Sequence, residues 1–356
     1  MPVNETAREI DQLETPVAIV DLDVLEANIA RLQRFLDRHG IANRPHIKTH
    51  KIPQIAHMQI EAGAVGITCQ KLSEAEVMAD AGIGDIFIPY NIIGPRKLGR
   101  LVSLARRISI RVTADSAFTV QGLSAAARGA RLELPVLVEF DSGLDRCGVR
   151  SPAEAADLAR TIARLPGLRF AGLMTYPSSE TVGPFVREVR RLLQPAGLDV
   201  ECVSGGGSPA AWRAHHYPEV TEHRAGMYVY GDRYGIHHEV MALEECALKI
   251  IATVVSRPTG ERGVLDAGSK TLSSDLMGLE GHGLILEYPK AVIYQLSEEH
   301  GHVDFSACAQ RPQIGERVSL IPNHGCAVGN LFNHMVGVRR GRVEVVWPVA
   351  ARGALQ

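Results

Sequence analysis

The sequence predicts an α/β protein: a (β/α)8 barrel of the TIM type followed by an all-β domain. Three observations carry that prediction. Between about Thr15 and Gly231, short β-branched runs alternate strictly with longer amphipathic ones. Beyond Gly231 the pattern changes to short β-rich runs separated by turn residues. No Gly-x-Gly-x-x-Gly follows the first strand, which weighs against an open doubly wound sheet.

Taken in order, Val17–Val20 reads as a strand, and a helix from about Leu22 to His39 follows it with Leu25, Ile29, Leu32 and Leu36 on one face. The next strands are read at Arg44–Ile47, Val65–Cys69, Ile86–Tyr90 and Ile108–Val112. Their helices lie near Ile55–Ala62, Ser73–Ala81, Arg96–Arg107 and Ser116–Arg128. Pro135–Phe140, Phe170–Met174 and Val200–Ser204 complete eight strand–helix units, with helices at Pro152–Leu165, Gly183–Leu193 and Pro209–His216. Eight parallel units are the number that closes a barrel, whose site lies at the C-terminal strand ends. The β-rich runs are Cys246–Ser256, Arg262–Leu265, Gly283–Leu286, Ala291–Gln295, Val303–Ser306, Arg317–Ile321, His334–Arg339 and Arg342–Val346. The expected domains are therefore residues 15–235 and 240–353, with residues 1–14 packing on the second.

Composition narrows the function. The 356 residues carry 38 basic and 40 acidic side chains, a net charge of −2, and nothing in that balance asks for nucleic acid or an anionic membrane. No apolar run is long enough to span a bilayer, and the polar N-terminus has no signal-peptide core. Six scattered cysteines fit reduced thiols in a cytoplasmic protein. Five of them read as small buried apolar residues, while Cys326 belongs to a motif below.

The chemistry centres on Arg44-Pro45-His46-Ile47-Lys48-Thr49-His50-Lys51, at the end of a strand run. A lysine closing a barrel strand sits in apolar surroundings that disfavour its ammonium, and it is suited to a Schiff base with a carbonyl cofactor. Taken alone, such a run is more commonly a basic surface turn. Other strand ends supply Gln70 and Lys71, Arg146 and Tyr176. Ser204-Gly205-Gly206-Gly207 opens a helix, where backbone N–H groups and the helix dipole receive phosphate, and Gly226-Met227-Tyr228 could add further donors. A Schiff-base lysine and a phosphate cradle together describe a pyridoxal 5'-phosphate site. In the β-rich half, His324-Gly325-Cys326 would project both side chains from one strand face, and imidazole with thiolate favours a zinc-like ion.

These segments, with GITCQKLSEAEVMADAGIGDIFI, DRCGV and HRAGMYVYGDR, resemble the fold-type III pyridoxal-phosphate enzymes whose barrel is shared with alanine racemase. Within them the chain resembles the D-threonine aldolase and D-serine dehydratase family, from about Thr15 to Gly353. The resemblance implies that Lys48 carries the cofactor and that Gln70, Arg146, Tyr176, Ser204, Gly205, Gly206, Gly226, Met227 and Tyr228 surround it. Tyr176 would meet the pyridine nitrogen; Arg146 would meet the ring hydroxyl or carry a salt bridge. His324 and Cys326 would hold a divalent metal. A cysteine there points to zinc, as in the dehydratases, whereas the His-x-Asp of aldolases suits manganese or magnesium. His300 is a candidate for substrate binding or acid–base work. Tyr176-Pro177-Ser178-Ser179-Glu180 departs from the family pattern and leaves the substrate contacts open.

The activity so implied is a lyase on D-β-hydroxy-α-amino acids. Retro-aldol cleavage to glycine and an aldehyde is the leading reading, and dehydration of D-serine or D-3-hydroxyaspartate to a 2-oxo acid and ammonia is the alternative. A metal-free racemase, for which changing His324 would be harmless, comes third, and a non-catalytic pyridoxal-phosphate carrier last. The fold type also implies a homodimer.

Overall fold

The computed structural model describes residues 9–356, so the expected packing of residues 1–8 lies outside the described residues. Strand β1 (Val17–Asp21) is followed by eight parallel strands: β2 (Ala42–Asn43), β3 (Ile67–Thr68), β4 (Asp85–Asn91), β5 (Ser109–Ala114), β6 (Leu134–Glu139), β7 (Leu168–Met174), β8 (Cys202–Gly206) and β9 (Glu222–Arg224). They pair in the order β2-β9-β8-β7-β6-β5-β4-β3, and a parallel bridge between His46 and Thr68 joins the two ends into a ring. The (β/α)8 expectation holds, with two strands reassigned. Val17–Val20 forms as read, but β1 pairs in the other sheet, and Glu222–Arg224, not read as a strand, completes the barrel.

Helices α1 (Leu22–Arg38), α2 (Pro53–Glu61), α3 (Leu72–Asp80), α4 (Pro95–Ala105), α5 (Ala117–Ala130), α6 (Pro152–Arg164) and α7 (Val182–Leu193) follow the strands. Their starts are set locally. The Ser116 hydroxyl accepts from Thr119 N–H at the head of α5. Ser151 and Glu154 form a reciprocal capping box on α6, with Pro152 in the first turn. Leu25, Ile29, Leu32 and Leu36 of α1 are buried, as their spacing predicts.

Close strand packing makes one glycine indispensable. Gly172 in β7 has φ +127°, and a Cβ there would lie 2.0 Å from the Cys202 carbonyl oxygen of β8. Gly172→Ala is expected to destabilise the protein by roughly 2–5 kcal/mol through backbone strain and overpacking together. An unchanged urea midpoint would contradict this.

The later strands are β10 (Leu248–Ser256), β11 (Arg262–Leu265), β12 (Gly283–Ile285), β13 (Val292–Leu296), β14 (Gly301–Asp304), β15 (Arg317–Pro322), β16 (His334–Arg339) and β17 (Arg342–Pro348). The main order is β13-β14-β11-β10-β1-β16-β17, with β15 pairing β10 and β12. Leu13, Ile19, Ile251, Val336, Val338 and Val343 form one of its cores. Residues from Glu9 join it: Ile10 N–H donates to the Gly341 carbonyl at 3.0 Å.

Two compact units interleave along the chain. The barrel unit comprises Arg31–Lys48, Ile55–Gly226 and Ala354–Gln356; the β-rich unit comprises the residues up to Ala30, Thr49–Gln54 and Met227–Gly353. The chain therefore passes from one unit to the other between Lys48 and Thr49. All six cysteines are free thiols, but only Cys69 and Cys246 are buried. Cys147 is exposed, and Cys202 and Cys308 are half-buried, so the reading of five buried cysteines is corrected.

Candidate active site

Within the basic run, only Lys48 escapes burial. Arg44, His46, His50 and Lys51 are all at most 7% exposed, which excludes a surface turn, whereas Lys48 is half-buried in the single helical turn after β2. His46 fixes that turn. Its Nδ1 lies 3.3 Å from Lys48 N–H and so acts as acceptor, which leaves Nε2–H to donate to Gln70 Oε1 at 2.9 Å. Gln70 N–H in turn donates to Glu74 at 2.7 Å. Lys51 is buried, and its ammonium donates to Asn330 Oδ1 at 2.8 Å.

Three predicted residues meet at Tyr176. Lys48 Nζ lies 5.7 Å and the Arg146 guanidinium 5.1 Å from the centre of its ring. Both are cation–π distances. The Arg146 loop is shaped by Asp141, whose Oδ1 accepts from the N–H groups of Gly143, Leu144 and Asp145. Those bonds, Gly143's foremost, hold the Asp141 carboxyl below the ordinary range.

The glycine segment serves space more than donation. Gly206 N–H goes to Ser178 Oγ at 3.0 Å, and Gly207 N–H goes to the Arg224 carbonyl at 3.1 Å. A Cβ on Gly205 would meet Ser178 Oγ at 2.3 Å, and one on Gly206 would meet the Tyr176 ring at 3.4 Å. Glycine thus lets Tyr176 and Ser178 lie against this backbone. Ser204 is occupied within the barrel: its hydroxyl donates to Glu222 at 2.7 Å and accepts from Arg224 at 2.6 Å. Gly226 is buried in the barrel unit; Met227 and Tyr228 are buried in a helical turn of the other.

Below these residues lies an ion network invisible to motif reading. Glu222 receives Arg44 Nε at 2.7 Å and Arg111 Nη2 at 2.6 Å, while Arg44 also reaches Asp85 at 2.6 Å. Burial alone would raise the Glu222 pKa, but the two guanidiniums bring it down to about 2. Glu139, at the end of β6, is the opposite case. Burial, assisted by Asp115, pushes it up to about 7 against the pull of Arg146 and Arg224.

In the β-rich unit, His324 and Cys326 do not share a strand. β15 ends at Pro322, His324 is the N-cap of the short helix Gly325–Gly329, and Cys326 lies in that helix's first turn. The side chains nevertheless interact. His324 Nδ1 is 2.6 Å from Asp275 Oδ2, and Cys326 Sγ is 3.0 Å from Thr49 Oγ1. Burial disfavours the imidazolium, but Cys326, Asp275 and Asp232 overcome it and raise His324 to about 9. No group of three or more His, Cys, Asp or Glu residues is gathered as a ligand set among the described residues. An imidazole and a thiol with a carboxylate behind the imidazole suit an ion completed by non-protein oxygen. His300 is exposed in the turn between β13 and β14. Sequence reasoning missed Asp275, Thr49, Glu139 and Glu222; only Thr49, inside the basic run, lay within a motif.

Lys48, Arg146 and Tyr176 thus converge near the strand ends of the (β/α)8 barrel. Residues 20–234 match the alanine racemase N-terminal domain family, and residues 247–338 match a serine dehydratase domain. The chain is 36% identical to D-threonine aldolase of an Arthrobacter species, over 99% of this chain and 96% of that one. The solved D-threonine aldolase of Filomicrobium marinum superposes with a TM-score of 0.91 at 31% identity, covering 100% of both chains. D-threo-3-hydroxyaspartate dehydratase from Delftia sp. HT23 gives 0.84 at 30% identity, covering 96% of this chain and 98% of that one. The protein belongs to the D-threonine aldolase and D-serine dehydratase family of pyridoxal-phosphate-dependent lyases.

Proposed function

We propose that this chain is a pyridoxal-phosphate- and metal-dependent lyase of D-β-hydroxy-α-amino acids, cleaving them by a retro-aldol reaction to glycine and an aldehyde. The convergence of Lys48 and Arg146 on the Tyr176 ring carries the cofactor assignment. The set fits a carbonyl-bearing, anionic aromatic ligand, since it offers an amine, a guanidinium and an aromatic phenol. Lys48 would hold the cofactor covalently, with Gln70 and His46 fixing the turn that carries it. Tyr176 and Arg146 would orient the ring, and Gly205, Gly206 and Gly226 would let it approach the backbone. Ser204 acts through Arg224. His324 and Cys326 would hold the divalent ion, with zinc favoured by the thiol and manganese or magnesium as alternatives. The bound cofactor supplies an electron sink for the bond broken at Cα, and the ion supplies Lewis acidity at the β-hydroxyl. His300 is the proposed acid–base or substrate contact; an unchanged kcat/KM for His300→Ala would remove it. Among the described residues no helix is long and apolar enough to cross a membrane, and we place the enzyme in the cytoplasm as a homodimer.

Cys326 favours a second reading, dehydration of D-serine or D-3-hydroxyaspartate, because a thiolate ligand suits zinc and the resembling dehydratases use it. The deciding experiment supplies cofactor-loaded, chelated protein with zinc or manganese in turn and follows D-threonine and D-serine by product mass. Glycine and acetaldehyde establish the aldolase; pyruvate and ammonia dependent on zinc establish the dehydratase. Turnover that survives chelation overturns the metal assignment. His324→Ala is expected to cost at least about 100-fold in kcat/KM.

A further inference from the structure

The loop Ser273–Gly281 is built onto the metal pair. Asn323, 1% exposed and next to His324 in the chain, binds this loop through its amide. Its Nδ2 donates to the Gly281 carbonyl at 2.8 Å and the Leu276 carbonyl at 3.4 Å, and its Oδ1 accepts from Arg233 at 2.8 Å. At the near end of the loop, Asp275 N–H donates to Ser273 Oγ at 3.1 Å, following the left-handed turn at Ser273. The outcome is a carboxylate oxygen 2.6 Å from His324 Nδ1. A ring nitrogen so engaged donates its proton to the carboxylate, so Nε2 is the nitrogen that a cation can take by displacing its proton.

We propose that Asp275 is a positioning residue for the metal: it fixes the ring and tautomer of His324 so that Nε2 is presented as a ligand, and it is not itself a ligand. This rests on the assignment of His324 and Cys326 as the metal pair. It extends that assignment to a residue from a different loop, joined to the pair through Asn323.

The test measures zinc affinity of the cofactor-loaded protein by competition with a chromophoric chelator, with cofactor absorbance recorded for every variant. Asp275→Ala is expected to weaken zinc binding by about 10–100-fold with cofactor content unchanged. Asp275→Asn retains an oxygen that accepts from Nδ1–H, and it should recover affinity to within a few-fold of the parent. Equal affinity for Asp275→Ala and the parent would overturn the proposal. An equal, large loss in both variants would also overturn it, since that marks Asp275 as a direct ligand. His324→Ala separates the two levels of inference. Parental zinc affinity in that variant would refute the metal pair itself, whereas its loss alongside an unaffected Asp275→Ala would refute only the positioning role.

Discussion

Lys48→Ala is expected to reduce turnover of D-β-hydroxy-α-amino acids by at least about 1,000-fold, since it removes a group that acts covalently. The loss should appear in kcat and not only in KM, because Lys48 is proposed to hold the cofactor on which every turnover depends. Lys48 is the one accessible cation of its run, and its ammonium faces the Tyr176 ring. Borohydride reduction followed by peptide mass mapping gives an independent readout: the cofactor should be fixed to the peptide carrying residue 48 and should not be fixed in the variant. Labelling of Lys51 instead would sink the assignment. The geometry speaks against that outcome, because the Lys51 ammonium is buried against Asn330.

Glu222→Gln should destabilise the barrel by roughly 3–5 kcal/mol, because it strips a buried carboxylate from one buried and one half-buried guanidinium. The same carboxylate makes stability depend on pH. Its folded pKa of about 2 lies below the ordinary value of 4.5, so its stabilising contribution is present above about pH 4.5. That contribution is lost as the pH falls towards 2. Urea midpoints followed across this window should show a steeper acid decline in the parent than in the variant. Parallel curves would show that Glu222 does not control the acid limb.

That ion network also explains what could be read from the residues and what could not. Six barrel strands announce themselves by apolar β-branched runs, such as Val136, Leu137 and Val138 in β6, all buried. The eighth is Glu222-His223-Arg224, three polar side chains that are equally buried. No hydropathy pattern marks it, because the barrel interior there is filled with paired charges and not with hydrocarbon. β1 was legible as a strand but not as a member of a particular sheet. Val-Ala-Ile-Val is a continuous apolar run, half-buried at Val17 and buried from Ala18 to Val20, and such a run looks alike wherever it is covered on both faces. For the proposed site, Lys48, Arg146 and Tyr176 could be singled out because barrels place chemistry at strand ends. Asp275 could not: it precedes His324 by 49 residues in an irregular loop, which hydrogen bonds from Asn323 and Arg233 bring back.

The placement of β1 has a consequence for biosynthesis. Ile19 pairs with Lys249 and Val336, which follow it by 230 and 317 residues. At a synthesis rate of about 5–20 residues per second, this apolar strand waits roughly 15–60 s for its second neighbour to be made. During that interval its edges are unpaired and open to strands of other nascent chains. Of the described strands, β1 is thus made earliest and is among the last to find both neighbours, and shielding by a chaperone would serve it in that interval.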